Sequence, residues 1–141
     1  MDYIKLANEL VDIQELLIQI PAEQRLTKMA RGEQFVLNYL AHHSNNVHPK
    51  ELSEKMAVSS ARIASLLNHL EQKKMVQRRI DPLDNRQIIV QLTELGRQEN
   101  ARIRSEVLIG IADMLEKLGP EDAQHYIRIK KKIWETCQNE P

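Results

Sequence analysis

Ile4, Ala7, Leu10, Val11, Ile13, Leu17 and Ile20 recur every three or four positions, the period of an amphipathic helix. Pro21 stands where such a helix should stop, so the pattern predicts one helix over the first twenty residues. The polar stretch Glu23 to Arg31 reads as a connector. Phe35, Val36, Leu37, Tyr39 and Leu40 restart the helical period, which is expected to end near His43 in a turn made by Ser44, Asn45 and Asn46. Pro49 suits a first helical position because its missing N–H would be unpaired there, and Glu51 puts a carboxylate at the positive end of the helix dipole. A short helix is therefore expected from Pro49 to about Met56, with Val47 packed on Leu52. After a brief turn at Ala57 and Val58, the Ser59 hydroxyl can cap a helix from Ser60 to about Lys73 that buries Ile63, Leu66, Leu67 and Leu70.

From Met75 the helical period gives way to alternation. Val76, Arg78 and Ile80 alternate with Gln77 and Arg79, and Ile88, Val90 and Leu92 alternate with Gln87, Ile89 and Gln91. Pairing Val76 with Leu92 and Ile80 with Ile88 sets apolar side chains opposite one another on one face. This predicts a β-hairpin with the polar tip Asp81-Pro82-Leu83-Asp84-Asn85-Arg86, centred on position 84. Thr93 should cap a long helix running through Ile103, Val107, Ile111, Met114 and Leu118 to Gly119. Pro120, Glu121 and Asp122 open a last helix whose apolar positions include Ala123, Tyr126, Ile127, Ile129, Ile133, Trp134 and Cys137. The expected fold class is mainly α with a small β-hairpin.

Composition narrows the chemistry. A chain of 141 residues suits one compact domain with extra helices. Its glycines, Gly32, Gly96, Gly110 and Gly119, are isolated, so no glycine-rich loop is available to cradle phosphates. Cys137 is the single cysteine, which fits a reducing compartment. Residues Met1 to Glu9 are too polar for a signal-peptide core, and the longest apolar run, Val107 to Ala112, is far short of a membrane span. A cytoplasmic location with no membrane partner is the expectation.

Two helices joined by a short turn and followed by a hairpin make a winged helix-turn-helix, whose second helix can enter a major groove while the hairpin tip reaches the backbone or minor groove. Net charge is zero, but between Lys55 and Arg86 seven basic residues face three acidic ones. One basic face on a neutral protein is what phosphate binding requires. With the four apolar residues turned inward, Ala61, Ser65, Asn68 and Gln72 face out from the second helix, flanked by Arg62 and His69. These side chains can read base edges, Arg on guanine, Asn on adenine, and Ala on a thymine methyl.

The runs His48-Pro49-Lys50-Glu51-Leu52-Ser53, Leu66-Leu67-Asn68-His69-Leu70-Glu71-Gln72-Lys73 and Asp81-Pro82-Leu83-Asp84-Asn85-Arg86, with Leu92-Thr93-Glu94-Leu95-Gly96, resemble the MarR family of bacterial transcriptional regulators. The most specific element is Asp-x-Arg in the wing followed by Leu-Thr-x-x-Gly. The resemblance implies a homodimer, usually a repressor, on a pseudo-palindromic DNA operator, released by an effector such as a small aromatic molecule. The implied parts are an N-terminal dimerisation helix with connector at 1–31, a winged DNA-binding lobe at 32–92, and a long helix with a C-terminal dimerisation helix at 93–141. The candidate DNA contacts are Ser59, Ser60, Ala61, Arg62, Ser65, Asn68, His69, Arg78, Asp84 and Arg86. Lys74 departs from the family's usual glycine after the recognition helix, which demands another cap or a left-handed non-glycine residue. The effector pocket is implied between the terminal helices and the lobe, where Phe35, Tyr39 and the Ile13 to Ile20 turn are candidates, each of which reads first as plain core.

Other chemistry finds little support. His42, His43, His48, His69 and His125 form no regular ligand spacing, and no cofactor or metal is expected. No Gly-x-Ser-x-Gly elbow or neighbouring Cys/His pair suggests catalysis, so an enzyme is not expected. Cys137 shares the apolar stripe of the last helix and reads as a small buried hydrophobe. The alternative is a winged-helix interaction module that binds protein, and the polar stripe at Ala61, Arg62, Ser65 and Asn68 argues against it.

Overall fold

A computed structural model describes residues 1–43 and 47–139. The expected turn at Ser44, Asn45 and Asn46 lies outside the described residues. The chain runs α1 (Tyr3–Leu17), α2 (Pro21–Met29), α3 (Gly32–His42), α4 (Pro49–Met56), α5 (Ser60–Gln72), β1 (Val76–Asp81), β2 (Asp84–Leu92), α6 (Glu94–Leu118) and α7 (Pro120–Cys137).

The N-terminal part differs from expectation. α1 ends at Leu17, and the polar stretch expected as a connector is the helix α2. Pro21 does not merely stop a helix; it occupies the first turn of the next one, where its fixed φ and missing N–H cost nothing. α2 buries only Ala22 and packs on α3 and α6, so its short apolar side leaves little periodic signal.

The core lies where α3, α4 and α5 meet the inner end of the hairpin. Val36, Leu37, Leu40, Leu52, Ile63, Leu66, Leu67 and Leu70 join Val47, Val76, Val90 and Leu92 in one buried cluster. Each Leu or Ile buried there is worth roughly 1.5–3 kcal/mol. The expected inward face of α5 is the observed one. Val47 adds a backbone link, its carbonyl accepting from the Val90 N–H at 2.8 Å, so the hairpin is tied to the segment before α4.

The hairpin pairs Val76 with Leu92 and Ile80 with Ile88, the expected register. Two details are corrected. The turn is centred on Pro82 and Leu83, not on position 84, because Asp81 already pairs with Asp84 beyond an irregularity at Ile80/Asp81. The outer apolar pair also gains no cover: Ile80 is 63% exposed and Ile88 47%, whereas Ile89, expected on the polar face, is 2% exposed. Beyond the body of the lobe the ribbon no longer has one wet and one buried face.

One joint connects the lobe to the long helix. The Thr93 N–H donates to the Met75 carbonyl at 3.0 Å. The Thr93 hydroxyl donates to the Lys74 carbonyl at 2.6 Å and accepts from the Gly96 N–H at 3.1 Å as the α6 cap. A Cβ on Gly96 would stand 2.1 Å from the Met75 oxygen, so only glycine lets α6 approach this closely. Lys74 is left-handed, φ 61°, one of the two outcomes its position demanded. The N–H of Met75 reaches back to Leu70 and that of Lys74 to Glu71, closing the end of α5 in a Schellman arrangement without glycine.

α1 and α7 bury no residue within the chain. Tyr3, Ile4, Leu10 and Val11 of α1 and Ile129, Ile133 and Trp134 of α7 stand exposed. Cys137 is exposed as well, against the expectation of burial, because the stripe it belongs to has no cover in the single chain. Among the described residues, no helix is long and apolar enough to cross a membrane.

Candidate nucleic-acid interface

The turn between α4 and α5 is built for sharpness. Ala57 adopts a left-handed conformation, φ 52°, and the Ser53 hydroxyl donates to the Val58 carbonyl at 2.6 Å across it. Ser59 caps α5 by accepting from the Arg62 N–H at 3.1 Å, and Ser60, Ala61, Arg62, Asn68 and His69 are exposed while Ser65 is half-buried. The helix therefore shows solvent a polar face of the kind the spacing predicts. His69 departs from it: its Nδ1 lies 3.6 Å from Glu33 of α3, and Lys73 donates to the same carboxylate at 2.8 Å. That places His69 toward the body of the protein.

Arg78, from β1, turns onto α5. Its Nε donates to Glu71 and its Nη2 to the Asn68 carbonyl oxygen, each at 2.8 Å. The guanidinium holds the Glu71 carboxyl below the usual range, chiefly through that hydrogen bond. Glu71 is not among the expected site residues; the alternation that puts Arg78 on the inner face of the strand is the signal for this contact.

At the wing tip, Asp84 accepts from the Arg86 N–H at 3.1 Å and from its Nε at 3.1 Å, while the Arg86 side chain is 89% exposed. The carboxylate cannot itself approach a phosphate favourably; it orients the guanidinium beside it, whose hydrogen bond lowers its own pKa. The tip end of the wing is also pinned, by a pair that sequence spacing concealed. Asp81 is buried and accepts from His48 Nε2 at 2.8 Å and from the Leu83 N–H at 2.8 Å, and the His48 bond is the main reason its pKa is depressed. On α3, Tyr39 donates to Glu51 and stacks on Phe35 and His43. That hydrogen bond, then burial, then the charge of Glu51 push the Tyr39 phenol up to about 12.

A cavity of about 1260 Å³ opens between α2, α3, α5 and α6. Leu37, Met56, Val58, Leu66, Met75, Ile103 and Val107 supply its apolar lining, and Arg25, Lys28, Arg31, Arg62, Lys73 and Arg102 outnumber the acids Glu33, Glu99 and Glu106. Phe35, Tyr39 and the Ile13 to Ile20 turn do not line this cavity. Four of its cations come from α2, the segment after it, and α6, so the cavity stays hidden as long as α2 is read as a connector.

The arrangement of α3 to α5, the two-stranded wing and the flanking helices is a winged helix-turn-helix fold. Solved structures share it: MepR, a transcription regulator of the Staphylococcus aureus multidrug efflux pump MepA, superposes with a TM-score of 0.70 at 20% identity, covering 92% of this chain and 96% of that one. YusO of Bacillus subtilis gives 0.73 at 22% identity, covering 96% and 99%. In sequence, residues 34–87, the winged segment, match the MarR family model. The uncharacterized HTH-type transcriptional regulator YdgJ of Bacillus subtilis is 29% identical over 100 residues, a stretch that spans 71% of this chain and 61% of that relative's length.

Proposed function

We propose that the protein is a transcriptional repressor that binds a pseudo-palindromic DNA operator as a homodimer and is released by a small molecule. The observation that carries this is the pairing of an exposed polar face on α5, fronted by Arg62, with a wing whose Arg86 is held outward by Asp84. Arg62 makes no ion pair among the described residues, so its charge is available to a guanine edge or a phosphate. Ser59, Ser60, Ala61 and Ser65 would contact the groove or its phosphates. Support comes also from the fold neighbour MepR, which has been solved as a DNA complex.

Dimerisation would cover the apolar faces of α1 and α7, which no monomer of this size would leave in water. The cavity beside α5 is the place for an effector: its apolar lining suits a small aromatic molecule, which would wedge α5 against α2 and α6. MepR has also been solved bound to ethidium bromide.

Titration of duplex DNA at several salt concentrations tests the reading. Arg62→Ala should cost about 1–3 kcal/mol and relax preference at one base position, whereas Arg86→Ala should weaken all sequences alike and flatten the salt dependence. Unchanged binding in both variants would remove the basis for the reading.

A further inference from the structure

Asn68 lies on the outward face of α5, at the position from which an asparagine would ordinarily read adenine by accepting from N6 and donating to N7. Its amide is not free to do so. Arginine is a donor at every nitrogen, so the Asn68 atom 2.8 Å from Arg78 Nη2 must be the carbonyl oxygen. Turning the amide over would set its NH2 against the guanidinium, donor against donor. Arg78 in turn cannot swing away cheaply, because its Nε is bonded to Glu71 at 2.8 Å, the two charges neutralising each other. Among the described residues the Asn68 NH2 makes no hydrogen bond and is left as the group that can face a ligand.

We infer that Arg78 is a specificity-determining residue acting through Asn68: by holding the amide oxygen it makes Asn68 a pure donor and selects guanine over adenine at one operator position. Guanine presents two adjacent acceptors, N7 and O6, in the major groove, which match an NH2 group. Adenine presents N7 beside an N6 amino donor, which needs the oxygen that Arg78 has taken. The inference rests on the reading of α5 as the groove-entering helix. Arg78 is thereby a positioning residue and not one of the direct DNA contacts among which it was expected.

The test uses the full chain and the best-bound duplex recovered from a random pool. The base pair read by Asn68 is the one whose preference is lost in Asn68→Ala. There the parent protein should prefer guanine, and Arg78→Ala should shift the guanine-to-adenine ratio toward adenine by on the order of tenfold, with preferences elsewhere in the site unchanged. Arg78→Lys keeps a donor between Asn68 and Glu71 and should keep the guanine preference; a role limited to charge would instead change binding to all sequences alike and leave the guanine-to-adenine ratio at this one position unmoved. An adenine preference in the parent, no position that responds to Asn68→Ala, or an Arg78→Ala variant weakened equally on all sequences would overturn the inference while leaving the DNA-binding reading intact. Recovery of no preferred sequence at all would overturn both.

Discussion

Gly96→Ala should be the most damaging single-methyl addition in the chain. The new Cβ would sit 2.1 Å from the Met75 carbonyl oxygen, 2.7 Å from a Leu92 methyl and 3.0 Å from the Met75 carbonyl carbon. The first obstacle is backbone, so α6 must retreat by about 1 Å to restore ordinary contact, against the close packing of the lobe. The retreat stretches two bonds of the same joint, Thr93 N–H to Met75 at 3.0 Å and Thr93 hydroxyl to Lys74 at 2.6 Å. Overpacking costs about 1–3 kcal/mol and each weakened bond about 0.5–1.5, offset by the roughly 0.5–1 that alanine gains over glycine in a helix. The net loss is about 3 kcal/mol, a fall in melting temperature of roughly 10 °C. Gly110→Ala supplies the control on the same helix. Its Cβ would meet Arg25 and Ala22 at ordinary distances of 3.5 and 3.7 Å, so it should be neutral or stabilising by up to about 1 kcal/mol. Urea or thermal unfolding followed by circular dichroism, at one protein concentration, compares the three proteins. A Gly96→Ala variant as stable as Gly110→Ala would refute the close-approach argument.

Lys74→Gly relieves a left-handed lysine, φ 61°, and should raise the unfolding midpoint by up to about 1 kcal/mol of stability; a clear loss would mean the Lys74 side chain contributes more than its backbone costs. Asp81 has a depressed folded-state pKa, so the stability it contributes is present above the ordinary aspartate range, near 4, and is lost as pH falls through its lower folded value. Comparing acid unfolding of the parent with Asp81→Asn should show the parent's extra stability vanishing at low pH, and parallel pH curves would contradict the His48–Asp81 account. Replacing Ile129 and Ile133 with Asp should abolish dimerisation and tight DNA binding together, and sedimentation showing an undisturbed dimer would refute the role given to α7.

Much of the lobe was legible because local and long-range signals agreed. The inward face of α5 and the Ser59 and Thr93 caps need only neighbours within a helical turn, and the hairpin register follows from alternation on both strands. The wing tip was misplaced because a one-sided irregularity at Ile80/Asp81 leaves no mark in an alternating pattern. α2 was concealed because proline both ends one helix and begins another, and nine residues with a single buried side chain give almost no period. At the site, residue types were readable but their partners were not. Arg78 is expected among the DNA contacts, and only the fold shows that it lies across Asn68 and Glu71; His48 and Asp81 meet only because the wing returns to the start of α4. Pairings across the tertiary fold are set by packing, which neither composition nor spacing reports.

The central claim, that two copies of this chain present α5 to successive major grooves, is tested most directly by selecting bound duplexes from random DNA and sequencing them. The expected result is a two-fold symmetric motif whose half-sites lie about 10 base pairs centre to centre, or a multiple of that spacing, with one dimer per duplex. A pool that shows no enriched motif, or a single asymmetric half-site bound by one chain, would contradict it.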